Sequence, residues 1–122
     1  MKNENPRIEW CENSGKQCLK FTFAEMLTTQ EAEAAIVEWR KAFQTKMDTS
    51  IILIWDCRNM KGYDSDARAQ WTDALKEMKS QIDTIWLITG SAIVKMGASF
   101  MGAITSLDIK SISSSVESGV SS

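Results

Sequence analysis

Apolar and polar positions follow two rhythms along this chain, and the switches between them mark its elements. From Arg7 to Glu12 and from Gln17 to Phe23 the period is close to two, as in half-buried strands. Asn13-Ser14-Gly15-Lys16 separates the two runs. A two-residue Ser14-Gly15 loop places Asn13 opposite Lys16 and so sets the register. Trp10 then faces Leu19 and Ile8 faces Phe21 on one side, while Glu9 meets Lys20 and Cys11 meets Cys18 on the other.

From Thr28 or Thr29 the rhythm becomes helical. Ala32, Ala35, Ile36, Trp39 and Phe43 recur at three- and four-residue spacing, a stripe that faces a core. Glu31 and Glu33 suit the positive N-terminal end of that helix. Ile51 to Trp55 is an unbroken apolar run ending at Asp56, which predicts a central strand covered on both faces. A second helix is expected from about Ser65 to Ser80, burying Ala67, Trp71, Leu75 and Met78. Ile82 to Thr89 is the next strand, and Gly90-Ser91 turns the chain into a third helix, about Ala92 to Ser106. Ile93, Met96, Phe100, Ile104 and Leu107 keep the helical period and are expected to face the core. Gly97 and Gly102 inside this helix point to close approach of helix and sheet. Ile109 to Val116 predicts a short last strand.

The order β-β-α-β-α-β-α-β predicts an α/β fold: a mostly parallel sheet with right-handed crossovers and an antiparallel first strand. One domain over residues 1–117 is expected, followed by a serine-rich flexible tail over residues 118–122. The loop after the central strand is the natural functional edge, because ligands of open α/β sheets bind beyond the carboxyl ends of the strands.

Composition narrows the function. A chain of 122 residues suffices for one core, and its net charge of −2 offers no basic surface for nucleic acid or an anionic membrane. No apolar run reaches the length of a membrane span, and the first residues lack the apolar stretch of a signal peptide. Three cysteines without metal spacing suit a reducing compartment, so the expectation is a cytoplasmic protein. In that setting Cys11 and Cys18 are expected to stay reduced, although their opposition across a hairpin also admits a disulfide. There is no histidine, which removes the commonest general base and metal ligand. The chain is therefore expected to be no enzyme and to need no cofactor.

The opening hairpin, the helix before the central strand, the strand ending Ile54-Trp55-Asp56, and the Gly90-Ser91 turn before a helix containing Lys95-Met96-Gly97-Ala98 together resemble a STAS domain. The likeness is to the small stand-alone relatives with the fold of bacterial anti-sigma-factor antagonists. It implies a regulatory protein-interaction module. In the antagonists an Asp-Ser pair after the central strand carries a serine phosphorylated by a kinase that is also the anti-sigma factor. Asp64-Ser65 holds that place here, so the resemblance implies Ser65 as phosphoacceptor and a kinase-type protein partner. Asp56, Cys57, Arg58, Asn59, Tyr63, Asp64, Asp66, Arg68, Gly90 and Ser91 are the candidate binding edge.

Other chemistries compete for the same residues. Asp64, Ser65 and Asp66 are helix N-cap types, and capping alone accounts for them. Asp56, Asp64 and Asp66 would make a magnesium site if they converged. Cys57 beside Arg58 would be a nucleophile if its thiol were activated, but no base or phosphate-cradling glycine loop accompanies it. The alternative function is a small-molecule or lipid-binding domain without a phosphoswitch, its pocket lined by Tyr63, Met60, Met96 and Met101. A homodimer is a further expectation, since three helices give the hydrophobic strands limited cover.

Overall fold

The computed structural model describes residues 5–112. The main sheet is formed by β1 (Arg7–Asn13), β2 (Lys16–Thr22), β4 (Ile51–Asp56), β6 (Ile82–Ile88) and β7 (Ile109–Ser111), in the spatial order β1-β2-β4-β6-β7. β1 runs antiparallel to β2, and every later neighbour is parallel. The hairpin register is the expected one throughout, from Arg7 opposite Thr22 to Asn13 opposite Lys16. Ser14 and Gly15 both take positive φ, 54° and 82°, the backbone that a two-residue hairpin loop requires.

Two short strands escaped the sequence reading. β3 (Met26–Leu27) and β5 (Gly62–Tyr63) pair in parallel as a separate two-stranded ribbon. Two-residue strands are too short for a period to register. This ribbon ties the chain ahead of the first helix to the loop beyond β4. β7 ends at Ser111; residues 113–116 of the expected last strand, the boundary at residue 117 and the expected tail lie outside the described residues.

Helix α1 (Thr29–Gln44) starts with a reciprocal capping box: Glu31 N–H donates to Thr28 Oγ1, and Thr28 N–H donates to Glu31 Oε1. All five residues of its expected stripe are buried. Helix α2 (Ser65–Met78) buries Ala67, Trp71, Leu75 and Met78, as expected, with Thr72 and Ala74 added, and passes through a 3-10 turn (Lys79–Gln81) into β6. Helix α3 (Ala92–Thr105) is the third α-helix among the described residues.

The buried faces of all three helices join one cluster with Leu19, Phe21, Leu53, Trp55, Ile85 and Leu87, so the helices share one face of the sheet. Aromatic rings fill its centre. Trp71 lies 5.7 Å from Phe21, 5.8 Å from Phe23, 5.1 Å from Trp39 and 6.4 Å from Trp55, mostly edge to face. Because side chains alternate along a strand, Cys18, Ile52, Ile54 and Ile88 form a second, smaller buried cluster on the opposite face. β4 is buried over its whole length, as its unbroken apolar run predicts.

Helix α3 corrects the sequence reading. Ile93, Met96, Phe100 and Ile104 face solvent, while Val94, Gly97, Ala98, Met101 and Thr105 are buried. Leu107 lies beyond the helix and is half-buried against the core. Two apolar stripes a helical step apart run along this helix, and the period alone does not choose between them. Packing chooses the stripe of smaller residues. A Cβ at position 97 would lie 2.9 Å from Tyr63 Cζ and closer still to its hydroxyl, so α3 approaches Tyr63 only with glycine there.

Candidate functional site at the carboxyl edge of the sheet

β4 delivers the chain to the site through backbone bonds on both sides. Phe23 N–H donates to Asp56 O at 3.0 Å, and Cys57 N–H donates to Ile88 O at 2.8 Å. Asp56 is 5% exposed and receives two bonds from the Arg58 guanidinium, from Nε at 2.8 Å and from Nη2 at 2.5 Å, with Arg58 N–H adding a longer one at 3.3 Å. Burial works to raise the pKa of Asp56, but the hydrogen bonds and charge of Arg58 outweigh it and hold the carboxyl below its ordinary value.

A depressed carboxyl stabilises the fold above its unfolded pKa, and that stabilisation is lost as pH falls through the folded value. Arg58→Ala is therefore expected to cost about 1–2 kcal/mol at neutral pH, held down because the Arg58 side chain is 44% exposed. The deficit should shrink as pH falls below about 4. Urea unfolding of both proteins at neutral and acid pH measures it.

The remaining candidates separate into distinct roles. Asp64 occupies the N-cap position of α2 but makes no side-chain bond to that helix. Its Oδ2 instead accepts from Thr29 N–H at 2.9 Å and from Thr29 Oγ1 at 3.2 Å, locking the start of α2 to the start of α1. Ser65 and Asp66 are exposed in the first turn of α2. The three carboxylates do not converge: among the described residues no group of three acidic, cysteine or histidine side chains is placed to hold a metal. The competing magnesium site is not assembled, because Asp56 is tied to Arg58 and Asp64 to Thr29.

Cys57 is buried, and desolvation together with the Asp56 charge pushes its thiol up to about 12. The Arg58 guanidinium is directed at Asp56 and does not lower the Cys57 thiol, so the competing nucleophile reading of Cys57 gains no activated thiol. Asn59 is exposed in the loop and Gly90 in the turn. Ser91 caps α3, its Oγ accepting from Val94 N–H at 3.3 Å.

Tyr63 and Arg68 face α3. Behind Tyr63, between α2, α3 and the sheet, lies a cavity of about 40 Å³ with almost wholly apolar walls, among them Phe23, Trp55, Trp71, Val94 and Met101. Tyr63, Met60 and Met101 line it as expected. Met96 does not: it is 71% exposed on the outer face of α3. Arg68 lies over the Phe100 ring, 4.9 Å from its centroid. That contact joins the loop edge to the outward stripe Ile93, Met96, Phe100 and Ile104. Met26, 46% exposed on β3, shares a surface depression with Ile93 and Tyr63.

The stripe is the part of the site that sequence reasoning missed. A signal was present: α3 carries a single charged residue, Lys95, so apolar residues surround the helix and not all can be buried.

No family model matches this chain, and no curated protein matches it. Among solved structures it is similar to an uncharacterised protein of the DUF3478 family with a SpoIIAA-like fold, from Shewanella loihica PV-4. The two are 12% identical and superpose with a TM-score of 0.74, covering 92% of this chain and 89% of that one. The fold of this chain is thus SpoIIAA-like, the mostly parallel α/β sheet that the order of elements predicted and the fold that the resemblance implied. Among the described residues no helix is long and apolar enough to cross a membrane.

Proposed function

We propose that this chain is a non-enzymatic protein-interaction module that docks its partner on the outward face of α3 and is switched through Ser65. The observation that carries this is the contiguous stripe Ile93, Met96, Phe100 and Ile104, each at least 44% exposed, which starts at the carboxyl edge of the sheet and runs along α3. A large apolar side chain exposed singly is ordinary; four in helical register, with Met26 nearby, mark a surface that another molecule covers. The occupant that suits it is an amphipathic helix of a partner protein, read by anchors at the same helical spacing.

The stripe and Ser65 have a physical connection. Ser65 and Arg68 are three residues apart on α2 and therefore neighbours on its surface. A phosphate on Ser65 competes with Phe100 for the Arg68 guanidinium. An exposed cation–π contact is worth about 0.5–1 kcal/mol, whereas a hydrogen bond to a charged group is worth about 1.5–3 kcal/mol. The phosphate wins, Arg68 leaves the ring, and the face offered to the partner changes. Asp66 opposes the added charge; Asp64 is already engaged with Thr29.

Affinity capture from the source cell, with mass spectrometry of both partners and Ser65, tests the proposal. A co-purifying kinase-type protein is expected, with phosphate on Ser65, and Ser65→Asp should change its recovery by about tenfold, the effect of 1.4 kcal/mol. An unmodified Ser65, with the same captured set for wild type and Ser65→Asp, would sink the switch.

The cavity behind Tyr63 favours a second function, the binding of a small apolar molecule. Trp55 Nε1 is buried without a hydrogen-bond partner among the described residues, on a ring that lines this cavity. A ligand would need Tyr63 to lift from Gly97, since the present volume is only that of a few waters. Thermal stabilisation by fatty acids, with no protein partner captured, would favour this function over the first.

A further inference from the structure

We infer that Cys11 and Cys18 form a dithiol site that closes reversibly to a cross-strand disulfide on the sheet face opposite the helices. The two residues are direct partners in the β1–β2 ladder. The two-residue loop makes Asn13 and Lys16 a hydrogen-bonded pair, and hydrogen-bonded pairs recur every second residue, so Cys11 and Cys18 are one as well. Such pairs have Cα atoms about 5.5 Å apart, inside the roughly 4.4–6.8 Å that a disulfide spans. The side chains already influence each other, Cys11 helping to hold the Cys18 proton, while the Cys18 thiol donates to Lys16 O at 3.7 Å.

The environment assigns different roles to the two thiols. Cys18 is fully buried beside Ile52 and Ile54, and its proton is held firmly, first by the bond to Cys11, then by burial and by the Cys11 charge. Cys11 is only half-buried on the edge strand and is the thiol an oxidant reaches. With a small disulfide such as oxidised glutathione, the Cys11 thiolate attacks one sulfur and expels the first glutathione thiolate. With glutathione on Cys11, neither the Cys11 charge nor its bond holds the Cys18 proton; Cys18 loses it and attacks Cys11 Sγ in the mixed disulfide, expelling the second. The two protons lost by the cysteines end on the two glutathione thiols, and the two electrons reduce the oxidised glutathione. Cys57 lies at the end of β4, on the face that carries the helices, and takes no part.

The full-length protein equilibrated in glutathione buffers of graded ratio, acid-quenched, alkylated and digested with trypsin tests this. The expected product links Ile8–Lys16 to Gln17–Lys20, since Lys16 falls between the two cysteines, with Cys57 alkylated. The bridged fraction should rise from about one tenth to about nine tenths over roughly 60 mV of redox poise, as a two-electron couple requires. Dithiothreitol should reverse it. Cys18→Ser should instead hold glutathione on Cys11, which separates resolution by Cys18 from mere access to Cys11. Three alkylated cysteines at oxidising ratios, or glutathione retained on Cys11 of the wild type, would overturn the inference.

Discussion

Trp71→Ala is expected to lower the unfolding free energy by about 3–5 kcal/mol, the range for truncating a buried tryptophan. Trp71 is 3% exposed, and its ring is the meeting point of Phe21, Phe23, Trp39 and Trp55, which come from β2, the segment after it, α1 and β4. Removing it leaves each of those rings without a neighbour on one side and enlarges the cavity behind Tyr63, whose wall it forms. Surrounding residues on four separate segments cannot all collapse into the space, which is why the cavity cost adds to the transfer cost. Domains of this size are stable by roughly 5–15 kcal/mol, so the variant should remain folded but unfold at a much lower urea concentration. Trp10→Ala is the control. That ring is 36% exposed and touches Lys46 across 5.6 Å, so its loss should cost no more than about 1 kcal/mol. Equal shifts in the two midpoints would mean that the aromatic cluster does not hold the helices to the sheet.

Met96→Glu with Phe100→Glu is expected to weaken partner binding on the order of 100-fold while leaving the unfolding free energy within about 1 kcal/mol of wild type. The two effects diverge because these side chains are 71% and 49% exposed. Neither belongs to the buried core of the monomer, and glutamate is a good helix former. Phe100 does meet Arg68 within the chain, but an exposed pairing of that kind is worth only about 0.5–1 kcal/mol. In a complex, by contrast, both residues would be central anchors, and two carboxylates would be desolvated against an apolar partner. Isothermal titration with the captured partner, alongside urea unfolding, reads both quantities. Unchanged affinity would remove α3 from the interface. Loss of self-association on size-exclusion chromatography, with no effect on any other protein, would identify a second copy of this chain as the occupant.

The hairpin shows why so much of the fold was legible in the order of residues. Its register follows from a two-residue loop and a period of two, both local properties, and every pair from Arg7–Thr22 to Asn13–Lys16 agrees. The α1 stripe and the buried β4 are equally local, since each offers a single apolar phase or none to choose. Of the candidate site, the start of α2 at Ser65 and the exposure of that serine could be read from the same rhythm, because Ser65 falls outside the buried stripe. Capping by the side chain of Asp64 could not be read in the same way, because it is not the bond that side chain makes. Asp64 has N-cap chemistry and N-cap position, yet its oxygen goes to Thr29, 35 residues earlier in the chain. No pattern of spacing encodes a partner that distant.

Local rhythm thus determined the order of the elements longer than two residues, the antiparallel first strand and the parallel remainder of the main sheet, because these depend on periods, turn chemistry and strand–helix alternation along the chain. Tertiary packing decided which apolar stripe of α3 is buried, that the carboxylate of Asp64 turns to Thr29, and that Arg68 meets Phe100. Each of those outcomes is a choice among locally equivalent options. The α3 stripe was settled by contact with Tyr63, where only a glycine fits, and that choice turned the larger apolar residues outward into the candidate docking face.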